Sequence, residues 1–127
     1  MPAFVPDYRN IERAARNIEA PRLPLYEHAI CNEVMEELLN VRFKELYAGD
    51  AAERKQYFAT YCRFFKEMGY DTVTFEQCIG AAMPGSGALG RHADPVIKTR
   101  EDFEKYPWNE VPDRFFTMFA DDFRLLR

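Results

Sequence analysis

The stretch from Phe64 to Arg91 constrains the fold of this 127-residue chain more than any other part of the sequence. It reads as the end of an amphipathic helix, a stop at Gly69, a β-rich run at 72–75, and a long loop rich in glycine and proline. Helix, short turn, strand and loop is the order typical of α/β proteins. Because ligands in such folds bind where loops leave the C-terminal ends of strands, the pattern places Glu76 and Gln77 at the predicted site.

A second extended run precedes this stretch. Residues 23–27 are short and apolar, and two prolines bias their neighbours toward extended backbone. We therefore predict strands near 23–27 and 72–76. If these strands are parallel and adjacent, His28 and Glu76 emerge at one edge of the sheet, where they could perform acid–base chemistry or bind a metal. The alternative is that His28 only orders its loop through a hydrogen bond.

Apolar residues at helical spacing predict helices over 7–18, 32–68 and 100–126, with interruptions. The strongest helix opens at Asp50, where Glu53 completes a capping box, and Gly69 suits the left-handed position that ends it. Its apolar stripe consists of Tyr57, Phe58, Tyr61, Phe64, Phe65 and Met68. Such a stripe could stack on a cofactor or on bases, but the spacing of a buried helix face favours core packing.

Charge and hydropathy exclude several classes of protein. The net charge is −4, and lysines and arginines alternate with acids, which argues against nucleic acid because binding needs clustered cations. No run approaches the roughly 20 apolar residues of a membrane span, and no signal peptide is visible. The three cysteines form no C-x-x-C pair, which indicates reduced thiols and a cytoplasmic location. A zinc site would need Cys31, Cys62 and Cys78 together with His28 or His92.

The segment from Gly85 to Gly90 matches the dinucleotide pattern G-x-G-x-x-G. That motif requires a strand directly before it and a helix opening within it. Here the predicted strand ends earlier and Pro95 prevents an ordinary helix, so we favour a loop whose glycines adopt positive φ or approach other backbone closely. Arg91 and His92 follow it and could hold an anionic substrate; an exposed pair without a role is the other interpretation.

Four segments carry a resemblance to a known family: Arg22-Leu23-Pro24-Leu25-Tyr26, Glu67-Met68-Gly69-Tyr70-Asp71, Phe75-Glu76 and Asp94-Pro95-Val96-Ile97-Lys98-Thr99-Arg100-Glu101-Asp102-Phe103. In order and spacing they resemble the uroporphyrinogen decarboxylase superfamily, which also holds methyltransferases that move methyl groups between corrinoid proteins and thiols such as coenzyme M. The resemblance implies an α/β fold, the N-terminal portion of a (β/α)₈ TIM barrel, whose complete form needs about 250 residues. It therefore implies an incomplete barrel, either a homo-oligomer or a chain completed by a missing C-terminal part.

The chain departs from the decarboxylases at two motifs. Their Arg-Gln-Ala-Gly-Arg-Tyr signature after the first strand corresponds to residues 27–32, which contain no arginine. Their catalytic aspartate, within Phe-Ser-Asp, corresponds to Gln77, with Glu76 beside it. These departures make corrinoid-linked methyl transfer a better fit than porphyrinogen decarboxylation.

Two functional hypotheses follow. In the first, the chain is part of a uroporphyrinogen-decarboxylase-like lyase or methyltransferase that acts on a small molecule and is inactive alone. This hypothesis assigns catalytic roles to Glu76, Gln77 and His28 and substrate contacts to Glu27, Arg91 and His92. It implies no cofactor in this chain, and a corrinoid protein or zinc for a full-length relative. In the second, the chain is a small non-catalytic α-rich protein that binds a partner or a second copy.

Overall fold

The computed structural model describes residues 4–85 and 95–127. Within these ranges the chain is helical, with α1 (Arg9–Ala15), α2 (Asn32–Leu39), α3 (Phe43–Ala48), α4 (Ala51–Glu67), α5 (Arg100–Lys105) and α6 (Val111–Leu126). Short 3-10 helices occupy Ile79–Ala81 and Trp108–Glu110. The chain forms two compact units that divide between Phe75 and Glu76.

The aromatic stripe of α4 forms the core of the first unit. Met35 from α2 and Phe43 from α3 are fully buried against it. The Phe43 ring meets that of Tyr57 edge to face, with centroids 5.1 Å apart, a geometry that aromatic quadrupoles favour. The buried members of the stripe are Tyr57, Phe58, Tyr61, Phe64 and Phe65. Core packing is therefore confirmed for these five residues, whereas Met68, the sixth member of the stripe, is 40% exposed.

Both ends of α4 follow the predicted local chemistry. The Asp50 carboxylate accepts hydrogen bonds from the amides of Ala52 and Glu53, at 2.8 and 3.0 Å. The Glu53 carboxylate in turn accepts from the Asp50 amide at 2.8 Å, which completes the capping box. At the other end Gly69 has φ of 84°, the left-handed conformation expected there.

The prediction of an α/β fold with two parallel strands is wrong for the residues that the structure describes, because they contain no β-strand. The run at 72–75 packs on helix α4 instead. The Phe75 ring lies 5.2 Å from that of Phe58, and the Tyr61 hydroxyl donates to the Thr74 carbonyl at 2.6 Å. This hydrogen bond satisfies the Thr74 carbonyl without a neighbouring strand.

The run at 23–27 forms no ladder either. Its side chains lie largely uncovered, with Leu23 86% and Tyr26 61% exposed. Two isolated segments of about five residues are marginal as a sheet in water unless further strands or a covering helix support them. The TIM-barrel portion that the resemblance implied is thus absent from the described residues.

The second unit is built around α5 and α6. Thr99 and Asp102 cap α5 with a capping box, and Pro112 lies in the first turn of α6. Between the helices the Trp108 indole N–H donates to the Phe103 carbonyl at 2.9 Å. The Trp108 ring also contacts those of Phe103 and Tyr106, with centroids 5.1 and 4.6 Å away.

Candidate functional site

The structure places the predicted site residues in different parts of the chain. Glu27 and His28 are exposed neighbours in the first unit, whereas Glu76, also exposed, and half-buried Gln77 begin the second. Arg91 and His92 lie outside the described residues. A common pocket for His28 and Glu76 therefore stays a prediction.

Gly85 is the part of the glycine motif that the structure describes; residues 86–90 lie outside the described ranges. Its φ is 64°, and a β-carbon built at this position would come within 2.6 Å of Cγ2 of Val96. The backbone conformation disfavours a side chain here, and a β-carbon would also crowd the Val96 side chain. For this residue the expected positive φ is confirmed, whereas the close neighbour is a side chain and not the backbone that we expected.

The described residues show no metal centre. Residues 4–85 and 95–127 contain no group of three or more histidine, cysteine, aspartate or glutamate side chains that could hold an ion. Cys31, Cys62 and Cys78 are free thiols, and burial raises the pKa of the Cys62 thiol. Metal ligands are thiolates, so the raised pKa makes the half-buried Cys62 a less effective ligand, whereas Cys31 and Cys78 are exposed.

A cavity of about 470 Å³ opens in the first unit beside Glu27. The side chains that line it are mainly apolar: Ile30 from the loop before α2, Val34 from α2, and Phe64 and Met68 from the end of α4. Glu27 and Tyr70 supply its polar groups. An apolar cavity with few polar groups is the usual form of a small-molecule site.

The negative charge of Glu27 affects Tyr70 at this cavity. Desolvation, and secondly the negative charge of Glu27, raise the pKa of the Tyr70 hydroxyl. The Tyr70 ring is held edge to face against Phe65, with centroids 5.2 Å apart. Tyr70 therefore stays protonated at neutral pH and presents an O–H beside a carboxylate.

Helix α6 has an apolar side much wider than the part it buries. At about 100° per residue, its apolar residues cover roughly half of the helix circumference. The centre of this side is covered, as Phe119 shows. One edge, Phe116 and Phe123, is exposed, and so is the other, Met118 and Leu125. We call the edge formed by exposed Phe116, half-buried Ala120 and exposed Phe123 the phenylalanine edge.

The charges of α6 follow its helix dipole. Asp113 lies in the first turn and Arg124 in the last, the arrangement that stabilises an isolated helix. Ion pairs of Glu110 with Arg114 and of Asp121 with Arg124 cover its polar side, at 2.8 and 2.5 Å. These ion pairs largely neutralise the charges on the polar side. The phenylalanine edge, by contrast, exposes apolar surface to solvent.

Sequence reasoning missed the most connected polar group of the first unit. The Asp71 carboxylate is fully buried and pairs with the Arg22 guanidinium. It also accepts from the Asp7 amide at 2.7 Å and from the Asn10 side chain at 3.3 Å. Arg22 in turn covers the Phe4 ring and donates to the Val5 carbonyl. No local sequence signal marks this cluster, because its members are far apart in the chain.

No family model matches this chain, and neither does any curated protein or solved structure. Among the helices within the described ranges, none combines the length and apolar character needed to cross a membrane.

Proposed function

We propose that this chain is a non-catalytic helical protein that associates with a second copy of itself through the phenylalanine edge of α6. The observation that carries the proposal is the exposure of Phe116, which reaches 64% on an otherwise well-formed amphipathic helix. Burying a phenylalanine contributes about 1.5–3 kcal/mol. The three free thiols suit the cytoplasm, where we place this function.

The edge is self-complementary when two α6 helices pack antiparallel. A two-fold axis between Phe119 and Ala120 sets Phe116 of one copy opposite Phe123 of the other, and Ala120 lets the backbones approach closely. The same arrangement brings Asp113 in the first turn near Arg127 at the far end of the other helix, so unlike charges meet. Such a contact is isologous and closes as a dimer.

Sedimentation velocity between about 1 and 200 µM tests this proposal. We expect a concentration-dependent shift from monomer to dimer, which Phe116→Glu weakens at least about tenfold because each dimer loses two buried rings and gains two charges. Tyr8→Glu is the matched control, since Tyr8 is 60% exposed and lies elsewhere. A monomer throughout the range, or a dimer that Phe116→Glu leaves unchanged, would contradict the proposal.

A second candidate function rests on the family resemblance and on the uncovered run at 23–27. We propose, as this alternative, a uroporphyrinogen-decarboxylase-like lyase or corrinoid-linked methyltransferase that is inactive until further polypeptide covers Leu23 and Tyr26. Glu76 would then handle the proton beside Gln77, and a corrinoid protein or zinc would come from the completed enzyme. The exposure of apolar residues in a segment that resembles the family favours this candidate.

The test is to co-express the coding sequence that adjoins codons 1–127 and to assay uroporphyrinogen decarboxylation and methyl transfer from methylcobalamin to coenzyme M. We expect no turnover from the chain alone and turnover from the completed protein. Glu76→Gln should lower that turnover by about 100-fold, as the loss of a general acid or base does. Absence of both activities from the completed protein would contradict this candidate, and full activity of the variant would remove Glu76 from its site.

A further inference from the structure

We propose that the cavity beside Glu27 binds a small primary amine with an aromatic or branched apolar body. The inference concerns the first unit and is independent of self-association through α6. It names a ligand class, an organic ammonium ion, from the chemistry of the cavity lining.

The floor of the cavity selects an apolar body. Phe64 is almost completely buried and fixed in the α4 core, so it offers a rigid surface. Ile30, Val34 and Met68 complete the wall with aliphatic groups. A volume of about 470 Å³ lies within the range of about 300–1,000 Å³ typical of small-ligand sites.

The charge at the rim of the cavity favours a positively charged ligand. Among the described residues that line the cavity, Glu27 alone carries a charge. In the part of the chain that the structure describes, no lysine, arginine or histidine forms an ion pair with its carboxylate. An anionic ligand would meet uncompensated negative charge here, whereas an ammonium group would be attracted to it.

Tyr70 adds a second group that favours a cation. Its aromatic ring belongs to the cavity lining, and aromatic rings attract ammonium ions. Its hydroxyl remains protonated because the pKa is raised by desolvation and by Glu27, so it adds no second negative charge. The site therefore offers one carboxylate, one aromatic face and an apolar floor, which together fit an arylalkylamine.

Three ligands with the same indole body separate charge from apolar binding. In ¹H–¹⁵N NMR titrations of the full chain, we expect tryptamine to shift the amides of residues 27–34 and 64–70 with a Kd on the order of 1 mM. Tryptophol, which is neutral, should bind about three- to fivefold more weakly, the effect of one exposed ion pair. Indole-3-acetate should bind more weakly still.

Three substitutions test the role of the Glu27 charge. Glu27→Gln should bring the affinity for tryptamine down to that for tryptophol, whereas Glu19→Gln, an exposed glutamate outside the cavity, should leave it unchanged. Val34→Lys should weaken tryptamine binding as well, because the new ammonium group would compete for Glu27. The amide spectrum of each variant verifies its fold. Equal affinity for tryptamine and indole-3-acetate, or tryptamine binding that Glu27→Gln does not alter, would overturn the proposal.

Discussion

Asp71 connects three separate stretches of the first unit through one buried carboxylate. Its partners Asp7, Asn10 and Arg22 precede it by 64, 61 and 49 residues. A carboxylate removed from water is stable only when it is paired and hydrogen-bonded, and here three donors meet that requirement. The cluster thereby fixes the segment that leads into α1 against the turn that follows α4.

Asp71→Asn should lower the free energy of unfolding by about 2–3 kcal/mol. Breaking a buried ion pair costs about 3–5 kcal/mol, and the partial exposure of Arg22 reduces this figure. Urea denaturation followed by circular dichroism, at a concentration where the chain is monomeric, measures the loss. Glu37→Gln, an exposed substitution on α2, should change stability by less than about 0.5 kcal/mol. A loss no larger than this control would show that the cluster contributes little.

The residues that could be predicted are those whose partners lie within a few positions. The Asp50–Glu53 capping box and the left-handed Gly69 depend on one helical turn each, so the sequence displays the whole interaction. Asp71 depends on residues about 50 or more positions away, and its role could not be predicted.

At the scale of elements, helix α4 determines what the β-rich run does. Residues 72–75 have the composition of a strand, but β-propensity chiefly describes a fit to a pleated, half-buried surface. The aromatic face of α4 offers such a surface. The Tyr61 hydroxyl donates a hydrogen bond to the Thr74 carbonyl, which is then not available to a neighbouring strand. The helices could be predicted because the helical spacing of apolar residues lies within each helix. Hydrogen bonding between strands needs a second strand, and local sequence does not specify which segment that is.

Tyr61 should make the packing of this run sensitive to alkali. Burial chiefly, and then the neighbouring Tyr57 and Cys62, raise its pKa from 10.0 to about 12. Because the folded chain holds this proton more tightly than the unfolded chain, the stabilisation is complete below pH 10 and is lost as the pH rises toward 12. Denaturant titrations from pH 8 to 12 should show the decline, and Tyr61→Phe should flatten it. An equal decline in the variant would assign the effect to other groups.

The described residues leave a large apolar surface exposed to solvent. The phenylalanine edge on α6 and the uncovered run at 23–27 are separate regions of this surface. Composition predicted enough apolar residues for a core, but not which of them remain outside it. Periodicity shows that Phe116 and Phe119 belong to one helix side; only the packing shows that Phe119 is buried and Phe116 exposed.

The fold class could not be predicted because the resemblance concerns segments, and the class depends on how segments pair. The four segments that resemble the decarboxylase superfamily are short and spaced along the chain, so they carry no information about hydrogen bonding between them. Sheet formation requires several strands in register. With only two candidate strands a stable sheet is not expected, so the packing of side chains on helices determines the architecture.

Trp108 is the single tryptophan of the chain, and it sits between Phe103 and Tyr106 in the second unit. Light absorbed at the long-wavelength end of the protein spectrum therefore excites one indole, which contacts Phe103 and Tyr106 of that unit. The wavelength of its fluorescence maximum reports the unfolding of α5 and the chain after it. Far-ultraviolet ellipticity, by contrast, reports the helix content of the entire chain. The two optical signals together distinguish independent melting of the units from a single concerted transition.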